Sequence, residues 1–161
     1  MGRYEIRTIE EIEKLARELR QQNKIIITTN GSYDILQPAH ARFLEKAKSL
    51  GDALIVLLNS DESVRRNKGE KRPIISENDR AYLLSELKPV DYVVIFPQDK
   101  PLEYLERIKP HYHVKGGTYI EERINEEKEF IEKWGCRYKT FELEENFSST
   151  NIINKILDVY K

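Results

Sequence analysis

Three apolar runs without polar alternation constrain this chain most. They are residues 24–29, where Ile25, Ile26 and Ile27 stand in succession, residues 53–58 and residues 91–96. A strand that is apolar at every position must be covered on both faces, which is the condition of a parallel sheet layered between helices. Residues 112–115 and 137–142 supply weaker fourth and fifth strands. Helical patterns fill the intervals at residues 8–22, 38–50, 77–88, 101–108, 121–134 and 150–160. In the first of these, Ile9, Ile12, Leu15, Ala16 and Leu19 fall on one face. Thr8 and Glu11 have the spacing of a capping box at its start. Pro38 opens the second helix and Gly51 lies just past its end. Ser76 is a suitable N-cap for the third. The alternation predicts an α/β fold: a Rossmann-like, doubly wound, mostly parallel five-stranded sheet with helices on both faces. The expected organisation is one domain over residues 1–161, with the helical stretch of residues 1–22 packed on it.

Composition removes several classes of function. Lys and Arg number 27 against 28 Asp and Glu, giving a net charge of −1. A general nucleic-acid binder would carry a basic excess, so none is expected as a partner. No apolar run approaches the ~20 residues of a membrane span, and the polar start at residues 1–7 has no secretory pattern. Cys136 is the single cysteine, which excludes an intramolecular disulfide and a cysteine-rich zinc site. A cytoplasmic location is expected.

In doubly wound sheets, ligands bind beyond the carboxyl ends of the strands, where strand order reverses. The first such loop reads Thr28-Thr29-Asn30-Gly31-Ser32-Tyr33-Asp34-Ile35-Leu36-Gln37-Pro38-Ala39-His40. Gly31 permits a turn and a close ligand approach. Free N–H groups and the positive end of the helix opening at Pro38 favour an anion. His40 sits on that helix's first turn, Gln37 immediately precedes it, and both can donate to phosphate oxygens. The same Asn-Gly pair also serves as an ordinary turn. The fourth strand ends in Lys115-Gly116-Gly117-Thr118. If strand order reverses between the first and fourth strands, this segment faces Asn30-Gly31 across a crevice. The last helix opens with Asn146-Phe147-Ser148-Ser149-Thr150-Asn151, whose hydroxyls suit phosphate, ribose or simple capping.

Residues 64–73 form a basic, glycine-containing stretch after the second strand and read as a solvated loop. His111 and His113 lie at the start of the fourth strand, away from the crevice edge, and no metal role is assigned to them. Trp134 and Cys136 read as packing residues, and the acidic run of residues 142–145 as a surface edge.

Taken in order, T-N-G-S-Y-D-I-L, A-K-S-L-G-D, N-S-D-E-S-V-R-R-N-K-G, R-P-I, E-N-D-R, V-D-Y-V-V-I-F, V-K-G-G-T-Y and S-S-T-N-I-I resemble the cytidylyltransferase-like nucleotidyltransferases. The stretches run from Thr29 to Ile153. Within that superfamily they look most like the D-glycero-β-D-manno-heptose 1-phosphate adenylyltransferases in stand-alone form. The family's His-x-Gly-His is here Gln37-Pro38-Ala39-His40. Gln37 donates a neutral hydrogen bond where the family has a histidine, and Ala39 adds a methyl group where the family leaves room for nucleotide.

The resemblance implies transfer of AMP from ATP to a sugar 1-phosphate, with Mg²⁺ bridging the phosphates. Thr29, Asn30, Gly31, Ser32 and Tyr33 would hold nucleotide, as would Lys115, Gly116, Gly117, Ser148, Ser149 and Thr150. His40, Gln37, Lys68 and Arg80 would act on the phosphates, the last two as mobile or flanking cations. Asp34 and Asn59 would meet the acceptor, Asp34 orienting it or the metal. No protein-held metal site is implied. A homodimer is expected, with a separate sugar kinase as pathway partner. The alternatives are a cytidylyltransferase of the glycerol phosphate type, or a nucleotide-binding protein whose catalysis is impaired at Gln37 and Ala39.

Overall fold

The computed structural model describes residues 6–117, 121–142 and 148–161. Five strands form one sheet: β1 (Ile26–Gly31), β2 (Ala53–Asn59), β3 (Tyr92–Phe96), β4 (Tyr112–Gly116) and β5 (Arg137–Phe141). Their order is β3-β2-β1-β4-β5, and every pair is parallel. Strand order therefore reverses between β1 and β4, the condition under which Lys115-Gly116 faces Asn30-Gly31 across a crevice. The helices among the described residues are α1 (Ile9–Gln21), α2 (Pro38–Lys48), α3 (Asp61–Lys68), α4 (Glu77–Ser85), α5 (Leu102–Ile108), α6 (Glu121–Glu132) and α7 (Ser149–Val159).

The apolar runs divide residue by residue between the two faces. Ile26, Ile55 and Leu57 pack with Ile9, Ile12 and Ala16 of α1, Leu105 and Ile108 of α5 and Ile131 of α6. Ile27, Leu54, Val56 and Leu58 pack instead with Phe43, Leu44 and Ala47 of α2 and Ala81 and Leu84 of α4. Successive strand side chains point to opposite faces, so a strand covered twice has to be apolar throughout. The capping box of α1 forms as its sequence suggests. Thr8 Oγ1 accepts the Glu11 N–H at 3.2 Å, and Glu11 accepts the Thr8 N–H at 2.8 Å.

Three local readings change. First, α3 occupies part of the basic stretch expected to be a loop. It has Ser60 as N-cap, acids in its first turn and bases in its last, the charge order that favours a helix. It buries only Ser63 and Val64, so it carries no apolar period to reveal it. Second, β1 runs on to Gly31, which makes Asn30 and Gly31 the strand's carboxyl end. Third, α2 stops at Lys48 with Ser49 as C-cap. Gly51 is required by space: a Cβ there would lie 2.5 Å from Ile25 Cγ2.

Candidate active site

At the β1/β4 reversal an open cleft of about 230 Å³ is lined by twelve of the expected residues: Thr29, Asn30, Gly31, Ser32, Tyr33, Asp34, His40, Lys68, Lys115, Gly116, Ser148 and Ser149. The remaining lining residue is Phe43, which the sequence reading missed. Phe43 lies one turn beyond His40, so helical spacing could have placed it on the same face.

The cleft floor is built by the end of β1. Asn30 Oδ1 is buried there without a hydrogen-bond partner, and Thr29 Oγ1 lies buried beside Tyr33. Buried polar atoms are ordinarily satisfied, so Asn30 Oδ1 marks a surface made to meet something polar. Gly31 is fixed by Tyr33, because a Cβ on it would stand 3.0 Å from the Tyr33 ring. Tyr33 itself has φ of 46°, in the left-handed region that a bulky residue rarely enters. Burial pushes its hydroxyl up to about 12, so it stays neutral.

His40 stands edge-on to Tyr33, with ring centroids 5.6 Å apart. Its Nδ1 accepts the Gln37 backbone N–H at 3.0 Å. That bond assigns the imidazole proton to Nε2. Desolvation, then the charge of Lys68, lowers the His40 pKa. The group is thus a neutral Nε2–H donor on a cleft wall. Lys68, at the end of α3, forms part of the same wall. Desolvation and Arg72 lower its pKa, with Asp34 opposing and Arg80 adding.

The opposite wall comes from β4 and α7. Lys115 and Gly116 end β4 beside the cleft. Gly117 follows at φ of 111°, its N–H bonded to the Phe141 carbonyl. Ser148 caps α7, its Oγ accepting the Asn151 N–H at 3.1 Å. Ser149 Oγ accepts the Ile35 N–H at 3.2 Å, tying α7 to the loop after β1. Thr118, Asn146 and Phe147 lie outside the described residues, as does most of the acidic run.

Several expected residues are placed otherwise. Gln37 does not line the cleft; its amide Nε2 donates to the Ile35 carbonyl at 3.4 Å, and it lines a groove against α7. Ala39 is buried beside a separate groove with Phe43, Lys46 and Phe141, so its methyl group is not in the cleft. Thr150 is exposed outside the cleft. Asn59 is buried, its amide donating to Ser63 Oγ at 2.9 Å.

Arg80 is corrected most sharply. It is fully buried, not a mobile cation. Its guanidinium donates to the carbonyls of Ile75, Ser32 and Asn59 and to the Asp61 carboxylate, at 2.6–2.9 Å. It bolts the loops after β1 and β2 to the start of α4. Asp34 is likewise committed. Its carboxylate accepts Arg72 Nε at 2.7 Å and the Ile74 and Ile75 N–H groups at 2.9–3.0 Å. Burial pushes its pKa up, but the two N–H groups and Arg72 outweigh this and hold it below the usual value.

A parallel sheet whose reversal point gathers a glycine loop, a helix-borne neutral histidine and two lysines has the arrangement of a nucleotidyltransferase. The chain belongs to the cytidylyltransferase-like family, whose profile matches residues 28–155. It is 42% identical over 156 residues to the "Bifunctional protein HldE" of Syntrophotalea carbinolica, covering 97% of this chain and 32% of that protein. It is 47% identical over 145 residues to the HldE of Helicobacter pylori strain Shi470, covering 90% of this chain and 30% of that one. The chain thus spans about a third of the length of these curated relatives. A crystal structure described as the lipopolysaccharide core biosynthesis protein from Thermoplasma volcanium superposes with a TM-score of 0.62 at 32% identity. That alignment covers 75% of this chain and 97% of the other. No helix among the described residues is long and apolar enough to cross a membrane.

Proposed function

We propose that this chain transfers AMP from ATP to D-glycero-β-D-manno-heptose 1-phosphate. One observation carries the reading: the cleft between Gly31, His40 and Lys115 belongs to a chain 42–47% identical to proteins named HldE over nearly all its length. An oxygen of the sugar 1-phosphate attacks the α-phosphorus of ATP in line. The bond from that phosphorus to the bridging oxygen breaks, and pyrophosphate leaves with the electron pair. Such transfers need positioning and charge stabilisation more than covalent help from the protein.

The backbone of residues 30–33 and the N-terminus of α2 receive the triphosphate. His40 donates Nε2–H to the oxygen on which charge develops, at no cost in proton transfer. Lys68 adds positive charge on the same wall. Lys115, Gly116, Ser148 and Ser149 form the nucleotide's other side. Gln37, Arg80 and Asn59 act on loop placement and not on substrate.

Magnesium does not fit as a protein-held cofactor among the described residues. They contain no cluster of acids and histidines able to cage an ion, and the Asp34 oxygens are already taken. Mg²⁺ would accompany the triphosphate as part of the substrate, a common mode for an ion that sheds its waters reluctantly. A cytoplasmic homodimer working after a separate sugar kinase accords with this reading.

The test is pyrophosphate release with the heptose 1-phosphate, Mg²⁺ and each nucleoside triphosphate in turn. Turnover with ATP supports the reading. Turnover with CTP and glycerol 3-phosphate alone replaces it with the cytidylyltransferase. Nucleotide binding without release would leave a binding protein; that neither Gln37 nor Ala39 lines the cleft weighs against that outcome.

A further inference from the structure

Behind the Lys115 wall lies a buried polar chain that the transfer itself does not use. His113, one pleat before Lys115 on β4, is fully buried. Its Nδ1 stands 2.8 Å from Thr28 Oγ1 on β1. Its Nε2 has no hydrogen bond and faces the Glu127 carboxylate at 3.8 Å. The other Glu127 oxygen is 4.0 Å from Lys115 Nζ, and the Tyr138 hydroxyl of β5 reaches Glu127 at 3.5 Å.

Glu127 is anomalous on its own helix. Glu122, Glu126, Glu129 and Glu132 of α6 are exposed, whereas Glu127 is 7% exposed and shares its face with the buried Ile131 one turn on. An apolar residue would serve packing better, since a buried carboxylate is costly unless paired. Burial and Lys115 keep His113 neutral, so it does not balance the charge. Burial raises the Glu127 pKa; of the groups that oppose it and favour the ionised form, Lys115 comes first, ahead of the Tyr138 hydroxyl and Lys100.

We propose that Glu127 is a positioning residue for nucleotide binding: it holds the Lys115 ammonium at the cleft wall, braced from behind by His113 and Tyr138. The inference rests on the nucleotidyltransferase reading and deepens it. A lysine on a four-carbon stem loses much rotamer freedom when it meets a phosphate. A carboxylate fixed in the core removes part of that freedom beforehand.

The test compares wild type, Glu127→Gln, Lys115→Met and the double variant. KM and kcat for ATP, ATP affinity by equilibrium titration, and thermal unfolding are measured on each. Glu127→Gln is expected to raise KM and Kd for ATP about five- to tenfold with little change in kcat, as when one partner of a largely buried pair is lost and the other is less well placed for its ligand. In the Lys115→Met background the same substitution should have no further effect, because the two act as one unit. Equal effects in both backgrounds overturn the proposal, as does a lowered Tm with KM and Kd unchanged. Wild-type turnover that is indifferent to Lys115→Met overturns it while leaving the transfer reading intact. No turnover by wild type with any triphosphate refutes the transfer reading instead; the titrations then decide this inference, and no ATP binding by wild type refutes both. Should Glu127→Gln fail to fold, Glu127→Asp, which keeps the charge and withdraws it from Lys115, carries the same comparison.

Discussion

The Gln37 backbone N–H and His40 Nδ1 are joined by a 3.0 Å hydrogen bond, and this bond sets which nitrogen of the imidazole meets the cleft. The residue that departs from the family motif therefore orients the catalytic candidate through its main chain, whatever side chain it carries.

Loss of the His40 Nε2–H donor should be felt in the chemistry and not in the fold. His40→Ala is expected to lower kcat by about 10²-fold or more, the usual consequence of deleting one preorganised donor. Thermal unfolding should stay within a few degrees of wild type. Pyrophosphate-release kinetics within a few-fold of wild type would remove His40 from the mechanism.

Gln37→His restores the family's residue at a position that does not line the cleft. Turnover should change by less than about tenfold, under 1.4 kcal/mol in the barrier. A gain of several hundredfold would show that the substituted side chain reaches the phosphates after all.

Arg80→Lys separates a bolt from a phosphate ligand. One ammonium cannot reproduce the fork that meets Ser32, Ile75, Asn59 and Asp61. The variant should lose about 3 kcal/mol or more of stability, as when a buried charged network is broken. Urea denaturation reads this directly. A raised KM for ATP with an unchanged midpoint would return Arg80 to the substrate.

Asp34→Asn removes the charge opposite Arg72 while keeping the shape. The pair is nearly dry, with side-chain exposures of 1% and 12%. About 3 kcal/mol of destabilisation is expected. Because the folded-state pKa of Asp34 is lowered, its contribution is full above the ordinary carboxylate range and fades as pH falls through that range. The stability difference between wild type and Asp34→Asn should therefore shrink in acid.

His113 predicts a second pH dependence at higher pH. Its folded pKa lies well below the ordinary 6.5 because burial, then Lys115, disfavours the charged ring. The unfolded chain then binds the extra proton, so this group's contribution is full above pH 6.5 and is lost as pH falls below it. Glu127, whose pKa is raised by burial, works in the opposite sense. His113→Gln should flatten the wild-type loss of stability between neutral pH and the carboxylate range, measured by chemical denaturation at stepped pH. Parallel curves for the two proteins would contradict the assignment.

The strands, the parallel sheet and the place of the cleft were legible in sequence because each follows from a local pattern. Continuous apolar runs require cover on both faces, and alternation with helices requires a parallel sheet. The loop after β1 and the Lys115-Gly116 segment are read at the sheet edge for the same reason. The helix α3 escaped because it is charged on nearly all sides and buries only Ser63 and Val64.

What the sequence by itself determined is therefore the frame and the list of groups near the chemistry. Which of them face the cleft was decided by the tertiary structure. Arg80 and Lys68 look alike as cations in a sequence, yet one is drawn inward by three carbonyls and Asp61 while the other stands on the cleft wall. Asp34 and Glu127 look like surface acids until Arg72 and Lys115, 38 and 12 residues away, are brought to them. A charge takes its role from its partners and its burial, and both are set by contacts between segments distant in the chain, which no local pattern encodes.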